Sequence, residues 1–309
     1  MVMVVGDVGG TNARLALVRD GAIDAATITR FRGDDFARFD DVVTRFLDEQ
    51  GRPSVDAVCV AVAGPVAGGA ARLTNRDWDF TETRLRDLTG AGRAVLMNDL
   101  TALGFATAAL SGDGVAMLRA APETRAQNGQ ALVVGFGTGF NVCATRTQAG
   151  QTVALEAEEG HTTLPAPIWR ALSDRIGAQA DAFPTTEDLF AGRGLAALHA
   201  ALTAAAPCRA EDVVTAADAG DAAARATCAF FAELAGVLCR DLALRFMPLA
   251  GLYLAGSVGR SLAARMDDFT RGFLGNPLMA HIPQNTPILL IRDDMAALQG
   301  CLVAAGAAR

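Results

Sequence analysis

Asp7 ends a short apolar run and is followed by Gly9, Gly10 and Thr11. Glycines let a tight hairpin bring its backbone N–H groups against phosphate oxygens, and a threonine hydroxyl adds a donor. An aspartate at a strand end can hold Mg2+, usually through waters, because that ion dehydrates reluctantly. An ordinary glycine-rich hairpin with a turn aspartate accounts for this one loop equally well. A second loop, Gly137-Thr138-Gly139, shifts the balance, since two such loops on facing lobes form a clamp. Asn98-Asp99 ends another apolar run. Phosphoryl transfer to an alcohol needs a carboxylate placed to accept the hydroxyl proton. Taken alone, Asp99 reads more simply as the cap of a following helix. Glu158 and His161 stand three apart in Glu156-Ala157-Glu158-Glu159-Gly160-His161, and together can grip neighbouring hydroxyls. A solvated acidic turn beside a surface histidine is the alternative. Glu187, ahead of Gly192 and Gly194, has a comparable second reading as a first-turn helix glutamate.

Bulk composition narrows the field. The chain has 309 residues, half of them hydrophobic, which suffices for two lobes with a cleft between them. A net charge of −7 disfavours nucleic-acid and anionic-membrane surfaces. Arginine supplies every basic side chain other than histidine; the sequence contains no lysine. Schiff-base chemistry and Walker-type phosphate loops are thereby excluded. The six cysteines, Cys59, Cys143, Cys208, Cys228, Cys239 and Cys301, form no CxxC pair, and with three histidines a Cys/His metal site is not expected. Thiol usage, the absence of a basic leader and the absence of a long uncharged segment predict a cytoplasmic chain without a membrane span.

The apolar patterning shows what must position these residues. Val2–Val5, Ala13–Val18 and Ala25–Phe31 read as a three-strand meander. Phe36, Phe39, Val43, Phe46 and Leu47 recur at helical spacing, with Asp34 and Asp35 near the start. Val58–Val62 and Ala94–Met97 are further strands, and Asp79 with Glu82 reads as a capping box for a helix through Leu88. This βββαβαβ-like order resembles the actin-like and sugar-kinase half-fold and not a doubly wound dinucleotide fold. The second half repeats the theme. Strands Ala131–Val134 and Val142–Arg146 flank the second loop, helices follow at about Pro167–Gly177, Glu187–Thr203 and Ala222–Phe246, and strands Gly251–Ala255 and Ile288–Ile291 precede a helical tail from Asp293. No helix-turn-helix precedes Val2, which disfavours a DNA-binding repressor.

In combination these segments resemble the bacterial ATP-dependent glucokinases of the non-zinc group. Gly6-Asp7-Val8-Gly9-Gly10-Thr11-Asn12-Ala13-Arg14-Leu15-Ala16-Leu17 resembles their opening, and Leu73-Thr74-Asn75 with Trp78 and Phe80 their next signature. Asn98-Asp99-Leu100-Thr101-Ala102, Gly137–Gly139, Glu158–His161, Glu187 with Gly192 and Gly194, and Ala255-Gly256 continue the likeness in order along the chain. The resemblance implies an α/β fold of the two-domain actin-like, hexokinase or ribonuclease H-like ATPase class. It also implies transfer of phosphate from ATP to the 6-hydroxyl of glucose, Mg2+ as cofactor, and commonly a homodimer. Asp99 would be the catalytic base. Asn98, Asp99, Glu158, His161 and Glu187 would bind the sugar. Gly6, Asp7, Val8, Gly9, Gly10, Thr11, Gly137, Thr138, Gly139, Gly256 and Ser257 would bind the nucleotide, with Asp7 toward the metal. The small domain is expected over 1–109 plus 293–309, and the large domain over 110–292.

Three positions depart from the family pattern: Asn141, Glu159 and Ser257 each stand where glycine is usual. Asparagine tolerates left-handed backbone angles, which would preserve the loop at 141. The departures keep two alternatives in view: a kinase for another hexose or amino sugar, and a catalytically weak, sugar-sensing paralogue.

Overall fold

The computed structural model describes residues 1–73, 76–122 and 127–307. They form two compact units, one comprising Met1–Gly114, Thr147–Ala154 and Asp293–Arg309, the other Val115–Arg146 and Leu155–Arg292.

In the first unit, the strand Val2–Val8 runs antiparallel to Asn12–Arg19 and parallel to Ala57–Val62, which is in turn parallel to Arg93–Asn98. Val8 lies opposite Val62, and Val62 opposite Asn98, so Asp7, Asn98 and Asp99 emerge at the carboxyl ends of the parallel strands. Alternation along the strands divides the apolar side chains between two faces. Val4, Val8, Val58 and Val60 pack with Phe39, Val43 and Phe46; Met3, Val5, Cys59 and Ala61 pack with Ala297, Leu298 and Cys301. With both faces covered, every residue of Ala57–Val62 is buried. The C-terminal helix Ala296–Ala307 crosses the helix Asp99–Ala106 so closely that a Cβ on Gly300 would collide with the Ala102 carbonyl oxygen.

The second unit repeats the hairpin-plus-parallel-strand plan. Gln130–Phe136 is antiparallel to Phe140–Gln148 and parallel to Gly251–Ala255, which is parallel to Ile288–Ile291. Val115–Arg119 closes one edge of this sheet. The helix Ala222–Phe246 is apolar nearly all round and packs into the same core as Leu132, Val134, Leu252 and Phe273.

Local departures from the sequence reading have identifiable causes. The run Ala25–Phe31 is not one strand: Asp24 caps a 3-10 turn over Ala25–Thr27, and only Thr29–Arg32 pairs. Asp34 and Asp35 fall in a separate 3-10 turn, and Asp40 and Asp41 occupy the first turn of the helix Phe39–Glu49. Thr81, not Asp79, caps the helix Glu82–Thr89, accepting from the Arg84 N–H; Glu82 instead accepts from the Leu96 N–H. The segment Glu187–Thr203 is two helices, Thr186–Phe190 and Gly192–Thr203, divided at the extended residue Ala191. By length and composition Ala222–Phe246 could cross a membrane, contrary to the expectation that no segment could; here it is a core helix. The three-stranded sheet of Val66–Ala67, Ala70–Arg72 and Asp79–Thr81 was not anticipated, because its strands are too short to carry a period.

The Gly300 crossing sets a stability prediction. Gly300→Ala should destabilise the protein by about 1–3 kcal/mol, the usual cost of overpacking a tight contact. Gly306→Ala on the same helix, with open space around it, should shift stability by less than about 1 kcal/mol. Urea unfolding of the two variants against the parent measures both.

Candidate functional site

In the first unit, Asp7, Gly9, Gly10, Thr11, Asn12 and Arg14 line an open pocket of about 250 Å³. Gly9 closes the hairpin through its N–H to the Asn12 carbonyl at 2.9 Å. A Cβ at Gly9 would meet nothing nearer than that carbonyl oxygen at 3.8 Å, and its φ is not left-handed. Neither the fold's packing nor its backbone requires glycine there. Gly6 and Val8, two of the expected nucleotide contacts, lie inside instead. Gly6 is flanked in the sheet by Leu15 and Val60, and Val8 is fully buried in the core. Asp7 is the residue of that strand whose side chain reaches the pocket.

Asp7 faces Arg14 at 3.4 Å, and Arg14 also donates to the Asp294 carbonyl at 3.0 Å. Burial raises the Asp7 carboxyl above its ordinary range, with Arg14 opposing the shift. Arg76 supports the loop from behind. It donates to the Gly10 carbonyl at 3.2 Å and the Gly33 carbonyl at 2.7 Å, pairs with Asp34, and stacks on Trp78 with 5.2 Å to the ring centroid. Neither arginine was singled out from sequence. Arg14 lies inside the opening motif, where spacing alone does not show which group its guanidinium meets. Arg76 adjoins Thr74 and Asn75, which lie outside the described residues.

Asn98 is the cap of the helix Asp99–Ala106, accepting from the Leu100 N–H at 2.9 Å and donating to the Gly64 carbonyl at 3.1 Å. Asp99 is therefore the first helical residue, not the cap, although one of its oxygens also accepts from Leu100 at 2.8 Å. Its carboxyl is pushed up to about 6, chiefly by burial and then by the charge of Asp7, against the Leu100 N–H, its own N–H and Asn98, which lower it.

In the second unit, the Gly137–Gly139 loop is held by Glu187 and by Gly192. The Gly192 N–H donates to the Gly137 carbonyl at 2.8 Å, a bond made available by the helix break at Ala191. Glu187 accepts from the Phe140 N–H at 2.9 Å through one oxygen and from Arg193 at 2.8 Å through the other. Burial raises the Glu187 carboxyl, but the Phe140 N–H, Arg193 and the neighbouring His161 outweigh it and leave it below its ordinary range. Gly139 has no room for a side chain: a Cβ would stand 2.7 Å from Glu187 Oε2. Glu158 and His161 bracket the 3-10 turn Glu159–His161 and are both exposed. Gly256, at φ +86°, begins the helix Gly256–Leu262 with its Cα against the Phe136 carbonyl, where any Cβ would collide. Ser257, next in that helix, has no left-handed backbone to favour glycine. Asn141 likewise sits in a strand opposite Gly135, so the left-handed conformation expected of it does not occur.

Two sheets, each opened by a glycine-turned hairpin and continued by parallel strands, together with helices of this order, make the actin-like sugar-kinase fold. The glucokinase family model matches residues 4–308, and the chain belongs to that family. The glucokinase of Saccharophagus degradans is 30% identical over 96% of both chains. Among solved structures, the glucokinase from an Antarctic psychrotroph superposes with a TM-score of 0.84 at 26% identity, covering 98% of each chain. A ROK family glucokinase from Streptomyces griseus in complex with glucose and AMPPNP shares the fold at a TM-score of 0.59 and 19% identity, over 97% of this chain and 98% of its own.

The raised Asp99 carboxyl has a measurable consequence. Its folded pKa of about 6 lies above the unfolded value of 3.8, so the fold binds this proton more tightly than the unfolded chain does. Its contribution to stability is accordingly greatest below about pH 4 and is lost as pH rises through about 6. In the ligand-free protein the Asp99 carboxyl carbon should titrate near 6 by NMR, and Asp7→Asn, which removes a like charge, should move that midpoint down. A midpoint unchanged in the variant would remove Asp7 as a cause.

Proposed function

We propose that this chain is a glucokinase that transfers the γ-phosphoryl group of ATP to the 6-hydroxyl of glucose, with Asp99 as the general base. The observation that carries the reading is the placement of Asp99. Asn98 takes the helix cap, the strand register puts Asp99 at the same end of the parallel strands as Asp7, and the carboxyl is pushed up to about 6. A base with that pKa is mostly ionised at neutral pH yet more basic than an ordinary aspartate.

In the proposed reaction, the sugar hydroxyl oxygen attacks the γ-phosphorus and its proton passes to an Asp99 carboxylate oxygen. The bond from the γ-phosphorus to the β,γ-bridging oxygen breaks, and that oxygen leaves with ADP. Asn98, Glu158, His161 and Glu187 bind sugar hydroxyls. The backbones of Gly9–Thr11 and Gly137–Gly139 bind phosphate oxygens, and Gly256-Ser257 the adenosine side. Mg2+ neutralises phosphate charge during such transfers, and Asp7, at the mouth of the first pocket, would hold it through water. Arg14 and Arg76 keep Asp7 and the Gly10 carbonyl in place. In domain terms, the base and first phosphate loop belong to the small domain, 1–109 with 293–309, and the second loop, sugar turn and adenosine side to the large one. The six cysteines, none of them in a disulfide, support a reducing cytoplasmic setting, and we assign the working enzyme as a homodimer on the family resemblance alone.

The departures from the family pattern do not favour a silent paralogue. Asn141 and Ser257 occupy backbone that any residue adopts, and the buried Glu159 is paired with Arg245. ADP release measured against a hexose panel separates glucose from other hexoses and amino sugars, and separates a kinase from a sensor that binds without turnover. Asp99→Asn should lower turnover by about 10²–10⁴-fold, the usual contribution of a positioned base, while sugar and ATP affinities move far less. Turnover within a few-fold of the parent would remove Asp99 as the base.

A further inference from the structure

The side-chain amide of Asn141, where the family resemblance places glycine, is fully occupied by the turn that carries Glu158 and by its own strand neighbour. Its Nδ2 donates to the Ala157 carbonyl at 2.7 Å and to Glu158 Oε2 at 3.2 Å. Its Oδ1 accepts from the Val142 N–H at 2.9 Å and the Glu159 N–H at 3.0 Å. A carboxamide has two N–H donors and two acceptor sites, and all four are used. The orientation follows from the partners: flipping the amide would set its NH2 against two N–H groups and its oxygen against a carbonyl and a carboxylate.

We infer that Asn141 is a positioning residue for sugar recognition, holding the Glu158 carboxylate toward the hexose. This deepens the function proposed above and rests on its assignment of Glu158 to the sugar. Glu158 is exposed, so no packing fixes its rotamer, and an exposed glutamate loses side-chain entropy when a ligand orders it. One N–H from Asn141 restrains Oε2 and leaves Oε1 free to accept from hydroxyls. Because the donor is a neutral amide, the carboxylate keeps its full charge for the ligand; Glu187, by contrast, is already paired with Arg193.

The surroundings assign the restraint to Asn141 specifically. On one side Glu159 is buried and ion-paired with Arg245, near the end of the helix Ala222–Phe246. On the other, Gly160 lies so close to the Phe140 carbonyl that a Cβ would collide with it. These contacts pin the turn's backbone, but neither touches the Glu158 side chain. Asn141 does, and it stands on the strand that leaves the Gly137–Gly139 loop. Two of the three departures in this unit, Asn141 and Glu159, thus belong to one arrangement around the Glu158 carboxylate.

The test is a cycle of parent, Asn141→Ala, Glu158→Ala and the double variant, with Michaelis constants for glucose and ATP, kcat and thermal melts for each. Asn141→Ala should raise the glucose KM roughly tenfold, about the worth of a hydrogen bond to a charged group, with kcat and the ATP KM within about twofold. On the Glu158→Ala background the same change should add less than about twofold, because its target is gone. Additive effects, an equal rise in the ATP KM, or an unchanged glucose KM in Asn141→Ala while Glu158→Ala raises it would each overturn the inference alone. A glucose KM untouched by Glu158→Ala would overturn the sugar assignment of Glu158 and the inference with it. Should Asn141→Ala melt early, Asn141→Asp decides. It keeps the backbone acceptances through Oδ1 but sets a carboxylate oxygen against Glu158 and the Ala157 carbonyl, so, assayed well below its own melt, it should raise the glucose KM and leave the ATP KM within about twofold. A parental glucose KM in Asn141→Asp would sink the proposal.

Discussion

The chemistry of the first unit depends on strand register. Val8 opposite Val62 and Val62 opposite Asn98 bring two carboxylates, Asp7 and Asp99, to the same partly buried end of the parallel strands. Like charges in a partly desolvated place resist ionising together, and the fold resolves this unevenly. Asp7 receives Arg14, whereas Asp99 receives helix-terminal N–H groups and no cation, and its proton is held to about 6. A one-residue slip in either parallel pairing would send the side chains to the opposite face. The covered, fully apolar strand Ala57–Val62, locked between the helices on both faces, opposes such a slip.

The second unit uses the same strand plan but arranges its acidic groups differently. Glu187 braces the glycine loop through the Phe140 N–H, so a side chain assigned to sugar binding also shapes the loop assigned to phosphate. Coupling of this kind needs no moving part: whatever reorients Glu187 alters the donors around Phe140. Glu158 is restrained by a neutral amide, and Glu159 is buried against Arg245. Three glutamates within one region are thereby given three different environments, and only Glu158 stays exposed.

The absence of lysine gives the arginines unusual structural duty. Arg14, Arg76, Arg193 and Arg245 each contact a residue in or beside the proposed site, and Arg14 and Arg76 each also reach a backbone carbonyl. A planar guanidinium can satisfy several acceptors at fixed angles while stacking on an aromatic ring, as Arg76 does on Trp78. A single ammonium would not connect the Gly10 and Gly33 carbonyls with Asp34 in that way.

The long elements were legible in the residues, because their periods and boundaries are local. The strands Gly251–Ala255 and Ile288–Ile291 and the helix Ala222–Phe246 lie where apolar runs and breakers place them. The glycine-turned hairpins after Val2–Val8 and Gln130–Phe136 were equally plain, since chain direction must reverse where side chains vanish. Capping was less so: Asp79 and Thr81 compete for one helix start, and only the path of the small sheet selects Thr81. Distant partners were not legible at all. No spacing connects Arg76 to Gly10, Arg245 to Glu159, or Asn141 to the Glu158 turn, because each pairing joins residues that only folding makes neighbours. The amino-acid sequence by itself therefore determined the family, the hairpins and the candidate carboxylates. The tertiary structure alone decided which of those groups are capped, paired, buried or left free, since charge and desolvation depend on neighbours in space rather than along the chain.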